Sequence, residues 1–203
     1  MITNNKLDRR VRRTKLTFIK AFISLIQEKG YKNVTVTDLV ERSDYNRATF
    51  YAHFKNKEDL TNEIIEKMIN GLQKAFYQPF KEFGHLELDS LSPSSVQVFQ
   101  YIYANSDSFD LLKESESIPG LQDKIVETIR NIFQEEIIFV SGHKFDINNA
   151  NFITYRTYGI FGLILEWIKS DYAQSPVEIS EQLINIYNTY SPKVRANSIG
   201  SRF

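Results

Sequence analysis

The chain has 203 residues, of which 42% are hydrophobic and 25% are charged, an ordinary composition for a globular protein with one medium-sized domain or two small ones. It contains no cysteine, which excludes disulfides, zinc sites built on thiolates and cysteine nucleophiles. No signal-peptide pattern begins the sequence, and no apolar run approaches the roughly 20 residues that span a bilayer, so we expect a cytoplasmic protein.

The net charge of zero conceals an uneven distribution. Residues 1–60 hold 13 Lys and Arg against 7 Asp and Glu, a net charge of +6, and the remaining residues hold 12 against 18, a net charge of −6. A basic N-terminal part joined to an acidic remainder suits a protein that places one end on a polyanion such as nucleic acid.

A basic cluster, RRVRR at residues 9–13, precedes the first long amphipathic stretch. Apolar residues at three- and four-residue spacing predict a helix from about Arg10 to Lys29 that ends at Gly30, and residues 1–8 are predicted to be disordered. The arginines either contact DNA phosphates or a minor groove, as basic arms do, or simply begin a solvated helix.

The next stretch predicts two short helices joined by a turn. Thr35 can accept a hydrogen bond from the backbone of Asp38 while the Asp38 carboxylate reaches back, which is a variant of the capping box. Residues 43–46, SDYN, favour a turn because Ser, Asp and Asn side chains compete for backbone hydrogen bonds. A second helix follows this turn, with Phe50 and Phe54 on the face that packs inward.

A helix, a turn of three or four residues and a second helix form the helix-turn-helix arrangement. Its second helix enters the DNA major groove with its N-terminal residues nearest the base edges. The side chains left around the remaining surface of this helix are Arg47, Ala48, Thr49, Tyr51, Ala52 and His53. The pattern therefore predicts DNA recognition by residues that directly follow the turn.

A third helix is predicted to begin after Asn56, which acts as its cap, and to run from Lys57 to about Phe83. Lys57 places a cation in the first turn of this helix, where the helix dipole favours anions. A DNA phosphate would resolve this conflict, since the helix N-terminus and the ammonium would bind it together. The alternative is a solvated lysine that tolerates a weak repulsion.

The run from Thr35 to Leu60, TVTDLVERSDYNRATFYAHFKNKEDL, is similar to the DNA-binding signature of the TetR family of bacterial transcription regulators. The match consists of the threonine, aromatic and tyrosine of the second helix, the His-Phe pair, and the Lys-Glu-x-Leu that opens the next helix. The resemblance implies phosphate contacts from Thr37, Tyr51, His53 and Lys57 and groove-facing positions at Arg47, Ala48 and Thr49. Thr35, which opens the signature, is a further candidate DNA-binding residue.

Two positions depart from the family pattern. Asp44 stands where a glycine is usual in the turn, and Ala48 stands where many members also have glycine. Aspartate tolerates left-handed backbone geometry better than most residues, so we expect Asp44 to hold the turn. Because Ala48 replaces this glycine, the resemblance does not predict which base the helix reads.

Amphipathic stretches separated by Ser, Gly, Asn or Pro predict further helices. They cover roughly residues 93–105, 108–115, 120–140, 148–171 and 176–190, with a loop at 84–93 and a loose polar tail from Ser191. No stretch shows sustained period-two alternation, so the predicted fold is all-α. We expect a three-helix helix-turn-helix domain at 1–58, followed by a helical ligand-binding and dimerisation domain at 59–203.

The last two long helices resemble those of one common subclass of the family, in which they pair with their mates in a four-helix dimer interface. Gly159 and Gly162 would allow a close approach of helices. The candidate interface residues are Phe161, Leu165, Ile168, Leu183, Ile184 and Tyr187. The alternative is that these side chains only close the core of the monomer.

The C-terminal part is rich in aromatic residues on helices that must converge, and apolar ligand pockets are often lined in this way. The candidate pocket residues are Phe76, Phe80, Phe99, Tyr103, Phe133, Tyr155 and Tyr158. Aromatic residues at helical spacing also form plain cores. The resemblance implies that a bound small molecule moves the first helix that spans both domains. This movement changes the separation of the two helix-turn-helix domains in the dimer.

Nothing in the sequence predicts catalysis, a metal site or a cofactor. His53, His85 and His143 are the only histidines, and none lies in a metal-binding spacing. Glycine-rich phosphate loops and G-x-S-x-G elbows are absent from the sequence.

The sequence predicts a homodimeric regulator, a repressor that binds a palindromic DNA operator and is released by a small-molecule effector. Two alternatives remain at this point. One is a DNA-bound structural or cell-cycle factor that binds no ligand, and the other is a helical interaction module without DNA activity.

Overall fold

The computed structural model describes residues 2–83, 92–93, 96–114, 117–139, 149–190 and 194–196. Its helices are α1 (Ile2–Lys29), α2 (Val36–Ser43), α3 (Arg47–Tyr51), α4 (Lys57–Phe83), α5 (Gln97–Ala104), α6 (Ser106–Phe109), α7 (Leu121–Glu136), α8 (Asn149–Lys169) and α9 (Pro176–Tyr190), with 3₁₀ turns at Tyr31–Asn33 and Asp110–Leu112. The predicted all-α class is confirmed, with one small antiparallel pair of strands, β1 (Ile137–Phe139) and β2 (Val194–Ala196). None of the helices within these described ranges is long and apolar enough to cross a membrane.

The chain forms two compact units. The N-terminal unit contains Met1–Met68 and Leu111–Gly120, and the C-terminal unit contains Ile69–Asp110 and Leu121–Phe203. Helix α4 belongs to both, so the N-terminal unit continues past the end of the helix-turn-helix signature. A domain boundary at residues 58 and 59 stays a prediction.

Helix α1 starts earlier than the sequence predicts. Its first helical residue is Ile2, so the predicted disorder of residues 1–8 is wrong for the backbone from residue 2 onward. Once a helix is nucleated, each added residue gains a hydrogen bond, which favours this extension. The predicted end is confirmed: Gly30 has φ of 76° and donates its N–H to the Ile26 carbonyl at 2.8 Å.

Local side-chain caps start the next three helices. Asp38 donates its N–H to Thr35 Oγ1 at 3.2 Å and accepts the Thr35 N–H at 2.7 Å, which confirms the predicted capping box of α2. Asn46 Oδ1 accepts the N–H of Thr49 at 2.8 Å and so caps α3. The predicted Asn56 cap of α4 is also confirmed, because its Oδ1 accepts the N–H three residues on at 2.8 Å.

A cluster of aromatic rings forms the core of the N-terminal unit. The Phe18 centroid lies 5.4 Å from that of Phe50 and 6.1 Å from that of Phe54, both in edge-to-face geometry. All three rings are buried, which confirms the predicted inward packing of Phe50 and Phe54, although Phe54 lies beyond the end of α3 and not on the predicted second helix. Burying each such side chain contributes about 1.5–3 kcal/mol, so these rings fix α3 against α1.

In the C-terminal unit, α7 packs against α8 and α5 packs against α9. Trp167 lies in its core, 5.3 Å from Phe99 and 5.0 Å from Tyr172 between ring centroids. Tyr172 also donates its hydroxyl to Asp110 Oδ1 at 3.0 Å, which ties the end of α8 to the 3₁₀ turn after α6.

Two predicted helices differ from the structure. The helix predicted at 93–105 starts only at Gln97, and α6 ends at Phe109 instead of continuing to residue 115. Asn105, at φ −123° and ψ 30°, interrupts the path between α5 and α6 while its side chain donates to the Tyr101 carbonyl at 2.8 Å. The side chain thus competes with the helix for backbone groups.

The helix predicted at 120–140 ends at Glu136 and continues as strand β1. Ile137 pairs with Ala196 and Phe139 with Val194, so part of the tail predicted to be loose is ordered in β2. Branched and aromatic residues favour strands, but the pairing partner lies far away along the chain. The predicted loop at 84–93 lies mostly outside the described residues.

Candidate nucleic-acid interface and apolar cavity

The turn between α2 and α3 has the left-handed geometry expected for Asp44. This residue has φ of 56° and ψ of 37° and donates its N–H to the Glu41 carbonyl at 3.3 Å. The next residue, Tyr45, donates its N–H to the Val40 carbonyl at 3.0 Å, which closes the end of α2. Aspartate therefore supports the turn in the place of the family's usual glycine.

Two candidate DNA-binding residues touch each other across the helix-turn-helix. Arg47, the first residue of α3, donates from Nη2 to Thr37 Oγ1 on α2 at 2.7 Å, and both side chains are exposed. Ala48 is exposed beside them, and the Thr49 hydroxyl donates to Asn46 Oδ1 at 3.0 Å. A guanidinium, a hydroxyl and a methyl group therefore lie together at the N-terminal end of α3.

Tyr51 is the most exposed aromatic residue of the N-terminal unit, with 55% of its surface accessible. Its ring packs edge-on against Phe50 at 5.4 Å, which holds the phenol on the outside of the core. His53 is half-buried, with its ring 6.4 Å from that of Phe54. Helix α3 ends at Tyr51, so His53 lies in the turn that follows and not in the predicted second helix.

Lys57 has a partner within the protein. Its Nζ donates to the Tyr31 carbonyl at 3.0 Å and lies 4.4 Å from the centroid of the Tyr31 ring. This contact explains a cation in the first turn of α4 without DNA. An ammonium has three donors, however, so a phosphate contact by Lys57 stays a prediction.

The Thr35 side chain caps α2, and two ion pairs connect α2 to α1. Lys29 lies 2.6 Å from Asp38, and this contact with the Thr35 hydrogen bonds holds the pKa of the Asp38 carboxyl well below its usual range. Arg42 donates to both carboxylate oxygens of Glu28 at 2.6 Å, and with the Ser24 hydroxyl it lowers the pKa of Glu28 to about 2. These pairs connect α1 to α2.

All five residues of the basic cluster at residues 9–13 of α1 are exposed. The Thr14 hydroxyl that follows it donates to the Arg10 carbonyl at 3.0 Å. The arginines therefore project from a regular helix. Among the described residues, no group of three or more His, Cys, Asp or Glu could hold a metal ion.

The C-terminal unit contains an apolar cavity of about 120 Å³. Helices α4, α5, α7, α8 and α9 contribute to its wall, together with the residue before α5. The lining residues are Leu72, Ala75, Phe76, Pro79, Val96, Gln97, Val98, Phe99, Thr128, Ile129, Ile132, Phe133, Ile160, Ile164, Leu183, Ile184 and Tyr187.

Of the predicted pocket residues, Phe76, Phe99 and Phe133 line this cavity. The remaining described ones do not: Tyr103, Tyr155 and Tyr158 have 53%, 73% and 55% of their surface exposed and are absent from the wall. Aromatic side chains favour core positions, but these three lie on helix faces that point to solvent. The side chain of Phe80 lies outside the described residues.

Most of the predicted dimer residues are used inside the protomer. Leu183, Ile184 and Tyr187 line the cavity, and Phe161 and Ile168 are 8% and 0% exposed. Leu165 is half-buried. The alternative that these side chains close the core of one protomer therefore accounts for most of them, and the exposed face of α8 lies elsewhere.

The wall also contains aliphatic residues, which the aromatic pattern of the sequence does not predict. Leu72, Ala75, Phe76 and Pro79 recur on α4 at the spacing of one helical face, which was a usable signal. Arg156 was likewise missed: it is 7% exposed, and its guanidinium lies 3.7 Å from the centroid of the Tyr187 ring. Burial lowers the pKa of Arg156 and raises that of Tyr187 to about 12.

Comparison with known proteins identifies both parts of the chain. The family model for bacterial regulatory proteins of the tetR family matches residues 18–64, and the model for a transcriptional regulator C-terminal region of TetR type matches residues 89–189. These ranges contain the helix-turn-helix and much of the C-terminal unit.

Among individual relatives, the HTH-type transcriptional regulator YxbF of Bacillus subtilis is 20% identical over 166 residues, which cover 81% of this chain and 42% of YxbF. The activator of the dhaKLM operon, DhaS of Lactococcus lactis, is 36% identical over 53 residues, which cover 26% of this chain and 28% of DhaS. The chain spans less than half the length of the curated relatives it matches.

Solved structures show the same fold at low identity. A TetR transcriptional regulator from Streptococcus agalactiae has a TM-score of 0.59 at 21% identity, covering 90% of this chain and 98% of its own. A TetR-family regulator from Syntrophomonas wolfei has a TM-score of 0.63 at 13% identity, covering 88% and 94%. With family models matched in both of its parts, the chain belongs to the TetR family of bacterial transcription regulators.

Proposed function

We propose that this protein is a homodimeric repressor that binds a palindromic DNA operator and is released by a small-molecule effector. The observation that carries the DNA part is the arrangement at the start of α3, where Arg47, Thr37 and Ala48 lie exposed at the end that enters a major groove in helix-turn-helix proteins. A role in gene regulation, not catalysis, is part of this proposal, and a cytoplasmic location follows from it.

The candidate contacts divide into two kinds. Arg47 can donate two hydrogen bonds to a guanine edge, and the Ala48 methyl can contact a thymine methyl, so these positions would read bases. Thr37, Tyr51, His53 and Lys57 would position the protein on phosphates. The charge of +6 on residues 1–60 supports the same orientation, since each neutralised phosphate adds affinity that falls with salt.

The dimer part rests on the outward face of α8. Tyr155, Tyr158, Gly159 and Gly162 lie on this face, and an added Cβ at either glycine would meet nothing within 4 Å in the described part of the protomer. A glycine inside a helix costs about 1 kcal/mol relative to alanine, and packing within the described part of the protomer does not require one at either position. A second copy of α8 approaching closely would use both glycines.

The effector part rests on the cavity in the C-terminal unit. Its apolar wall is contributed by several helices, including α4, which also continues from the DNA-binding unit. If the wall has two conformations that differ in the position of α4, a ligand that binds one of them more tightly would shift the protein toward it. The size of the shift is set by the difference in affinity for the two conformations.

A gel-shift experiment with DNA from the region upstream of the protein's own gene, repeated over a salt series, tests the DNA part. We expect sequence-preferred binding whose affinity falls steeply with salt. If no DNA fragment is preferred over random sequence, the chain is better described as a helical interaction module.

A reporter gene behind the selected operator tests the direction of regulation. We expect lower expression when the protein is present. Higher expression would make the protein an activator, the role that DhaS has. A thermal-shift screen of metabolites then separates an effector-responsive regulator from a ligand-independent DNA-bound factor, because a ligand selective for the native state must raise stability.

A further inference from the structure

The wall of the cavity in the C-terminal unit carries no charged side chain among the described residues. Its polar lining side chains are Gln97, Thr128 and Tyr187, and the Thr128 hydroxyl already donates to the Lys124 carbonyl at 2.8 Å. A carboxylate or ammonium entering this space would lose its hydration without gaining an opposite charge in the wall. The cavity therefore favours an uncharged occupant.

Arg156 does not change this conclusion. It touches the lining residue Tyr187, but its guanidinium lies over the ring at 3.7 Å and Arg156 itself is not part of the wall. The second ring near it, Phe152, has its centroid at 5.4 Å. The cation therefore contacts aromatic rings and does not belong to the residues that line the cavity.

Pro79 interrupts the regular hydrogen bonding of α4 beside the cavity. Pro79 lies inside the helix and lines the cavity, as does Ala75 four residues before it. Proline has no N–H, so the regular hydrogen bond from residue 79 to the Ala75 carbonyl cannot form. A hydroxyl or N–H of a ligand can supply to this carbonyl the donor that Pro79 lacks.

The size of the cavity limits the ligand. An apolar cavity of about 150 Å³ lined by Leu, Ile and Phe binds benzene. The present cavity of about 120 Å³ is of the same order, so its occupant has on the order of six to eight non-hydrogen atoms in the enclosed part.

We propose that the cavity binds a small uncharged ligand with a hydrocarbon body and one hydrogen-bond donor, an alcohol or phenol, whose donor bonds to the Ala75 carbonyl. This inference rests on the proposed function, since it names the chemical class of the effector. The missing N–H at Pro79 sets the orientation of the ligand, and the uncharged wall selects against charged ligands.

Four probes of matched length test the proposal by ligand-observed NMR titration of the full chain at pH 7: hexan-1-ol, methyl pentyl ether, hexanoate and hexylammonium. We expect hexan-1-ol to bind, the ether to bind about 5- to 10-fold more weakly because it has no donor, and both ions to bind at least about 100-fold more weakly. Equal or tighter binding of hexanoate, or no binding of any probe, would overturn the proposal.

Two variants locate the effect. Ile129→Phe fills the cavity and should abolish hexan-1-ol binding, whereas Val177→Phe adds a ring at an exposed position outside the wall and should leave it unchanged. Pro79→Ala restores an N–H opposite Ala75, so the alcohol should lose its advantage over the ether while the ions stay excluded. An unchanged ratio of alcohol to ether would refute the role of the Ala75 carbonyl.

If Pro79→Ala does not fold, the ¹³C shift of the Ala75 carbonyl in the unmodified chain replaces it. This shift should move with hexan-1-ol and not with the ether, and identical shifts with both probes count against the proposal. Gel shifts in the presence of hexan-1-ol separate the two proposals. Binding with the expected preferences but without operator release would leave the ligand class intact and refute the proposed effector response.

Discussion

At the scale of single residues, Arg47 and Lys57 represent the two kinds of DNA contact. We expect Arg47→Ala to alter the preferred base at one operator position, with a loss of about 1–3 kcal/mol for the preferred sequence. Lys57→Ala should weaken binding to all sequences alike and reduce the slope of log affinity against log salt by about 1. Affinities for an operator and for random DNA over a salt series measure both effects.

The contact of Lys57 with Tyr31 requires a control, since its loss also weakens the fold. Urea unfolding of Lys57→Ala shows whether the N-terminal unit remains folded under the binding conditions. If both variants change sequence preference and salt slope in the same way, the division into base-reading and phosphate-binding residues is incorrect.

The ion pair of Arg42 with Glu28 predicts a pH dependence of stability. The folded protein holds the pKa of Glu28 at about 2, below its ordinary value of 4.5, chiefly because Arg42 donates to the carboxylate. The stabilisation is therefore complete above pH 4.5 and is lost as the pH falls toward 2. Arg42→Gln should flatten this part of the curve of unfolding free energy against pH.

Arg12→Gln provides the matched control, because it removes one positive charge from an exposed position of α1 without touching the pair. It should leave the acid part of the curve as in the unmodified chain. A curve for Arg42→Gln that superimposes on that of Arg12→Gln would show that the pair does not contribute in solution.

At the scale of helices, two glycines inside long helices should respond to alanine in opposite ways because their surroundings differ. Gly71 on α4 has no room for a side chain, because an added Cβ would overlap the Tyr101 ring, whereas Gly162 on α8 has open space around it among the residues that the structure describes. We expect Gly71→Ala to destabilise the fold by about 1–3 kcal/mol through overpacking. Gly162→Ala should stabilise the isolated protomer by up to about 1 kcal/mol.

The proposed dimer adds a second readout to Gly162→Ala. If two copies of α8 approach at this glycine, the extra methyl group should raise the dimer dissociation constant measured by analytical ultracentrifugation. The exposed Val177→Ala on α9 serves as a control with unchanged association. Unaltered dimerisation of Gly162→Ala would move the interface away from this face.

At the scale of the whole molecule, dimeric binding predicts a geometric requirement on the operator. Two half-sites centred one helical turn apart, about 34–36 Å, can be engaged together by a symmetric dimer. Inserting about five base pairs between them rotates one half-site to the opposite side of the duplex. Affinity should then fall to that of a single half-site, and an affinity that does not depend on spacing would argue for binding by independent monomers.

The sequence alone determined those features whose interactions are local. The capping box of Thr35 and Asp38, the left-handed Asp44 and the Asn56 cap each depend on residues within a few positions, so their chemistry is readable before folding. The bounds of α4 and α9 followed from helical periodicity and capping for the same reason.

Only the tertiary structure decided which faces of these helices meet. Periodicity places Tyr155 and Tyr187 on helices, but the rotation of each helix in the fold puts the first in solvent and the second in the cavity wall. The Lys57 contact with Tyr31 and the pairing of β1 with β2 likewise join residues distant along the chain. Such contacts depend on packing between elements, which no local pattern of residues encodes.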